Sequence, residues 1–168
     1  MQRWGKVAGR DPASRTRRLG VSRRVLRGFS GDSLRALREG SGLTRQDLAR
    51  TARVGLTTLY HWESGVSTPT VDILARVVAA LGASIEDVVA VPVEDRYPAD
   101  WRIVRGLTQP ELGKRTGLST SLVGAIERGE VELTASAAKQ LAAGLGIPEK
   151  VLFEAHERAR TREPGTPA

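Results

Sequence analysis

Cysteine is absent from all 168 residues, which excludes disulfides, thiolate metal sites and a cysteine nucleophile, and suits a reducing compartment. No apolar run approaches the roughly 18 residues needed to cross a bilayer, so a cytoplasmic protein without a membrane partner is expected. Aromatic residues make up only 4% of the chain, too few for one large core. The hydrophobic fraction of 40% still supports packed helices built on small aliphatic side chains. A chain of this length has room for one ordinary domain or for two helical ones of about 60 residues each.

Catalytic and cofactor-binding constellations are equally scarce. The two histidines, His61 and His156, lie far apart in the chain. His61-x-Glu63 has the form of half a zinc deaminase motif, but no cysteine pair exists to complete it. Neither a phosphate-cradling glycine loop with its lysine nor a nucleophile elbow is present. The expectation is a protein without catalytic residues, metal or cofactor.

Positive charge is present, and its distribution carries more information than its total. The net charge is +7, yet residues 1–30 hold nine basic side chains, Arg3, Lys6, Arg10, Arg15, Arg17, Arg18, Arg23, Arg24 and Arg27, against the single acid Asp11. The remainder of the chain is therefore close to neutral. A basic arm on a neutral body has the composition of a disordered nucleic-acid-binding tail. A start codon assigned too far upstream would account for the same stretch, and both readings stay open.

Sliding the sequence on itself gives a gapless match at an offset of 64 residues, from Arg38 against Arg102 to Gly82 against Gly146. Gly42-Leu43-Thr44 recurs as Gly106-Leu107-Thr108, Leu48 as Leu112, Glu63 as Glu127, Gly65 as Gly129 and Leu81-Gly82 as Leu145-Gly146. Internal duplication explains this, and two copies are too few for a solenoid, so each copy must be a small self-contained domain.

Each copy reads as five short helices. In the first, a helix carrying Leu34, Leu37 and Arg38 ends at Gly40 or Gly42. Thr44 caps a second helix, with Asp47 in a capping-box position. After a turn at Arg53-Val54, a third helix from about Gly55 to Ser64 puts Leu59 and Trp62 on its inner side. Thr70 caps a fourth, and Ser84 opens a short fifth. The second copy repeats this order from Thr108 to a last helix running from Pro148 toward Arg160. Residues 91–98, bounded by Pro92 and Pro98, read as a linker. The expected domains are an arm over 1–30, helical units over 31–90 and 99–160, and a disordered tail over 161–168.

The residues Leu43-Thr44-x-x-x-Leu48-Ala49, Val54-x-x-x-x-Leu59-x-x-Trp62-Glu63-x-Gly65, Pro69-Thr70 and Leu81-Gly82, with their recurrence in the second copy, resemble the Cro and phage-repressor type of helix-turn-helix regulator. The resemblance covers residues 33 to about 153. It implies an all-α fold of two tandem repressor-like domains, double-stranded DNA as partner, and transcriptional regulation of repressor type in the nucleoid. In such proteins the third helix enters the major groove. That nominates Leu56, Thr57, Tyr60 and His61 for base contact, and Thr120 and Ser121 in the second unit. The resemblance also places Thr44, Arg45 and Gln109, at the start of the second helix of each unit, at phosphates, with Glu63 structural. Arg17, Arg18, Arg23 and Arg24 of the arm are further phosphate candidates.

The base-reading chemistry is limited. With no asparagine in the chain and no glutamine in either third helix, bidentate reading of adenine is unavailable, which leaves thymine methyls for Leu56 and Thr57. His61 is equally readable as a donor to guanine or phosphate and as a solvated surface residue. The second unit offers only the small Thr120, Ser121, Gly124 and Ala125, and Gly124 weakens its helix by up to about 1 kcal/mol. At the turn, Arg53 stands where the second copy has Gly117; if that turn needs a positive φ, arginine costs on the order of 1 kcal/mol. The rival reading is a protein-interaction module of antitoxin or anti-repressor type, which the near-neutral body favours. The segment from Val91 to Pro98 spans at most about 28 Å, so both copies on one duplex and a homodimer are both compatible with the sequence.

Overall fold

The computed structural model describes residues 26–163 and Thr166. Among the described residues the architecture is all-α, with nine α-helices and no strand beyond an isolated bridge between Phe29 and Val89. No helix there is long and apolar enough to cross a membrane. The helices are α1 (Gly31–Gly40), α2 (Arg45–Ala52), α3 (Leu56–Glu63), α4 (Val71–Ala80), α5 (Pro98–Val104), α6 (Gln109–Thr116), α7 (Thr120–Glu127), α8 (Ala135–Leu145) and α9 (Glu149–Thr161). The short fifth helix expected at Ser84 is a single 3-10 turn, Ile85–Asp87, and a second such turn spans Val93–Asp95.

Local sequence explains the boundaries. Thr44, Thr108, Ser119 and Thr134 each accept a hydrogen bond from the backbone N–H three residues on, starting α2, α6, α7 and α8. Thr108 and Glu111 complete a capping box, the Thr108 amide donating to Glu111 Oε2 at 2.7 Å. At the other end of α2, Arg53 adopts φ 54° and ψ 50°, the left-handed conformation that Gly117 takes after α6 at φ 75°. The arginine therefore sits where the chain turns as a glycine would.

Each unit has its own core. Leu34, Leu48, Leu59, Trp62, Leu74, Val77 and Val88 fill the first, and Leu112, Val123, Ile126, Leu141, Leu145, Leu152 and Ala155 fill the second. Burying each of the larger side chains contributes about 1.5–3 kcal/mol, which is what holds helices this short in place.

Three segments differ from the sequence expectation, the last only at its edge: Thr161, assigned to the disordered tail, closes α9, and Arg162 donates to Arg128 O at 2.6 Å. Residues 26–30, assigned to the disordered arm, are packed on the first unit: Leu26 and Phe29 lie against its core, the Ser30 amide donates to Val88 O at 2.8 Å, and the Ala90 amide donates to Gly28 O at 2.9 Å. Residues 91–98, read as a linker, are built into the fold. Val91, Arg96 and Pro98 are buried, and Arg96 donates to Val91 O at 3.1 Å and to Glu86 at 2.8 Å while its guanidinium lies 4.7 Å from the Trp101 ring centroid. Proline-rich composition signals a chain reversal, and buried side chains decide whether that reversal is loose or packed. The rest of the arm, including Arg17, Arg18, Arg23 and Arg24, lies outside the described residues.

Candidate nucleic-acid interface

In each unit two helices meet at a left-handed turn: α2 and α3 around Arg53, α6 and α7 around Gly117. The inner side of α3 is anchored by Leu59, fully buried, and by Trp62, 3% exposed. Its outer side carries Leu56 at 49% exposure and Tyr60 at 51%, with Thr57 exposed and His61 half-buried, its ring tilted against Tyr60 at 5.9 Å between centroids. The four residues nominated in the first unit thus share one accessible helix face. In the second unit Thr120 and Ser121 are exposed at the start of α7.

The α3 face is held by a buried ionic cluster that sequence reasoning missed. The Glu63 side chain is fully buried, and it accepts from Arg38 Nε at 2.7 Å, Arg38 Nη2 at 3.1 Å and Arg45 Nε at 2.9 Å. Arg38 also donates to Leu43 O at 3.0 Å, closing the loop before α2. Burial alone would push the Glu63 carboxyl up, but the hydrogen bonds and charges of Arg38 and Arg45 outweigh it and hold it below its ordinary value. The second unit repeats the device: Glu127 accepts from Arg102 Nε at 2.6 Å and from Gln109 Nε2 at 2.7 Å, and Arg102 donates to Leu107 O at 2.6 Å. A signal was present, because Arg38 with Arg102 and Glu63 with Glu127 are identical pairs in the repeat.

This cluster changes the picture of the phosphate candidates. Thr44 is exposed, but its hydroxyl is occupied in capping α2. Arg45 and Gln109 hold equivalent positions and each spends a donor on the buried glutamate. Arg45 remains half-exposed, its guanidinium 5.3 Å from the Tyr60 ring centroid, so its terminal nitrogens are what it presents outward. An arginine oriented by a buried carboxylate and an aromatic face loses less rotamer freedom on meeting an anion.

The α7 face differs in kind. Gly124, equivalent to Tyr60, is buried, and a Cβ there would lie 2.9 Å from Arg128 Nη1 and 3.5 Å from the Gln109 side chain. Arg128 therefore lies across the helix where the first unit displays an aromatic ring. It is paired with Glu130 through two hydrogen bonds of 2.7 and 2.8 Å, an exposed pair of the kind worth at most about 1 kcal/mol. Nothing in the spacing of Arg128 marked it, since its serine counterpart Ser64 sits at the end of α3. The two histidines stay in different units: His156 is buried with Nδ1 3.0 Å from Ile126 O.

The helix-turn-helix family model matches twice, over residues 34–88 and 99–152. The chain belongs to the helix-turn-helix family. Both matched segments coincide with the structural units, and the helix-turn-helix of each is α2–α3 and α6–α7. Membership makes this a DNA-binding protein of the Cro type. No curated protein and no solved structure matches the chain.

Proposed function

We propose that this helix-turn-helix protein is a sequence-specific transcriptional regulator that represses by occupying its DNA element, with the first unit reading bases. The observation that carries the reading is the outer face of α3, where Leu56, Thr57, Tyr60 and His61 are presented together by a helix locked from behind through Leu59, Trp62 and Glu63. Leu56 and the Thr57 methyl suit thymine methyls, and His61 suits a guanine acceptor. Arg45, half-exposed at the start of α2, and Arg53, exposed at the turn before α3, are the phosphate contacts of this reading. Repression needs only occupancy, which two compact units supply.

In the second unit the exposed groups of α7 are Thr120, Ser121 and Leu122, which favour contacts that follow groove shape over base reading. The same small face supports a second reading of that unit alone, as a docking surface for another protein.

Selection from a pool of random duplexes tests the proposal. An enriched motif, bound with sub-micromolar affinity and steep salt dependence, is the expected result. Substituting Thr57 or His61 shifts the enriched bases, whereas substituting Thr120 or Ser121 shifts them less. A pool that returns no motif removes the regulator reading, and the reverse pattern of substitutions makes the second unit the reader.

A further inference from the structure

The two units touch through different surfaces. On the first unit the contact is made by α4 and the 3-10 turn after it; on the second, by α5 and the loop that follows. Ile103 packs against the first unit's core. The Gly106 backbone comes so close that a Cβ there would lie 3.2 Å from Ala75 Cβ and 3.5 Å from Ile85 Cδ1. Arg27 from the first unit's N-terminal segment forms an ion pair with Asp100, stacks 4.4 Å from the Tyr97 ring centroid and donates to Asp95 O at 3.2 Å. Asp100 is 2% exposed and also accepts from the Tyr97 amide at 2.8 Å. From the far side, Arg158 of α9 donates to Arg96 O at 2.8 Å.

A two-fold arrangement would require every such contact to occur twice with the roles exchanged. The repeat makes this checkable residue by residue. At an offset of 64, Ala75 corresponds to Lys139, Ile85 to Glu149, Ile103 to Glu39 and Gly106 to Gly42. The reciprocal contact would set Gly42 against Lys139 and Glu149. Instead a Cβ at Gly42 meets nothing within 4 Å, and Glu39, Lys139 and Glu149 are all exposed. The union is heterologous, head to tail, and three of the four residues that would form its mirror half are charged and solvated.

Palindromic operators mirror the two-fold symmetry of the proteins that bind them. We propose that a single chain binds a single duplex with its two units in head-to-tail order, the first reading bases and the second selecting groove shape, on an element whose halves are not related by a dyad. The packed contact at Gly106, Ile103 and Arg27 fixes the spacing between those halves, in place of a flexible tether. This inference rests on the DNA-binding reading above.

The test uses the full chain. Motif selection from random duplexes is combined with light scattering of the complex, and then with binding to the selected element carrying five extra base pairs between its halves. The expected outcome is a motif without inverted symmetry, one chain per duplex, and a loss of about tenfold or more in affinity on insertion, as the second contact stops being intramolecular. The variants Arg27→Met with Asp100→Asn, which leaves no buried charge unpaired, and Ala75→Glu, which sets a carboxylate at the junction, should bind the parent element more weakly. They should also lose less than about threefold on insertion, because loosened units re-space themselves. An inverted-repeat motif bound by two chains overturns the proposal, as does a motif confined to a single half, or insensitivity of the unmodified protein to the insertion. Absence of any motif overturns instead the regulator reading on which it stands.

Discussion

Arg53 and Gly117 hold the same turn in the two copies, so exchanging their residue types gives a perturbation with an internal control. Arg53 has φ 54° and ψ 50°, and an L-residue pays about 1–2 kcal/mol for the left-handed conformation. Glycine removes that cost but returns about 0.4–1 kcal/mol of freedom to the unfolded chain. Arg53 is exposed, and its side chain has no hydrogen bond or ion pair among the described residues, so little else is lost. The balance for Arg53→Gly is a stabilisation of about 0.5–1 kcal/mol, or roughly 2–4 °C in melting temperature at the upper end. Gly117→Arg should destabilise by a similar amount, since its φ is 75° and a Cβ there meets nothing within 4 Å. Urea unfolding of both variants reads the stability. In DNA binding Arg53→Gly should act in the opposite direction, weakening all duplexes alike and lowering the salt slope by about 1, as expected for one lost phosphate contact. If Arg53→Gly unfolds more readily and Gly117→Arg is neutral, backbone strain is not what distinguishes these turns.

Arg38→Ala should cost about 3 kcal/mol, toward the lower end for breaking a buried ion pair because Arg45 still partners Glu63; denaturant unfolding measures it. Glu63 is held below the ordinary glutamate value of about 4.3, so its contribution is complete above that value and is lost as pH falls through its folded value. Asp87 and Glu111 are lowered chiefly by the amides they cap at Ser84 and Thr108, and Asp47 chiefly by the Thr44 hydroxyl, so they act in the same direction. Burial holds Asp100 above its ordinary value, which acts the other way, so the test is the difference between proteins: unfolding free energy measured from pH 7 down to 3 should fall less steeply in Glu63→Gln than in the parent, and equal slopes would contradict the geometry of Glu63. Deleting residues 1–25, which leaves Arg27 and Phe29 in place, should weaken binding to all duplexes uniformly and flatten the salt dependence; unchanged affinity in a titration would take the arm out of the interface.

Much of each unit was legible in the chain itself because its signals are local or repeated. Caps at Thr44 and Thr108 start helices through hydrogen bonds three residues away, apolar spacing turns Leu59 and Trp62 inward, and the offset of 64 residues shows that the pattern occurs twice. The resemblance nominates Leu56, Thr57, Tyr60 and His61 for the face of α3 opposite the Leu59 and Trp62 that the periodicity turns inward, so they could be grouped without coordinates. Arg45 could be placed at the start of a helix, but not held by Glu63, because that carboxylate lies 18 residues further on and on another helix. Arg128 was invisible as an occupant of the α7 face, since only folding brings it over Gly124.

Two helical units, their turns and their inward and outward faces were readable from the chain, because all of them depend on residues a few positions apart. Tertiary structure decided how the units are joined. Residues 91–98 and the root of the arm carry the composition of loose chain, and whether such chain stays loose depends on what it meets. Here Arg27 meets Asp100, Arg96 meets Trp101, and Gly106 meets Ala75. Those partners are brought together only when both cores have formed, so no periodicity records them, and they are what makes the pair head to tail.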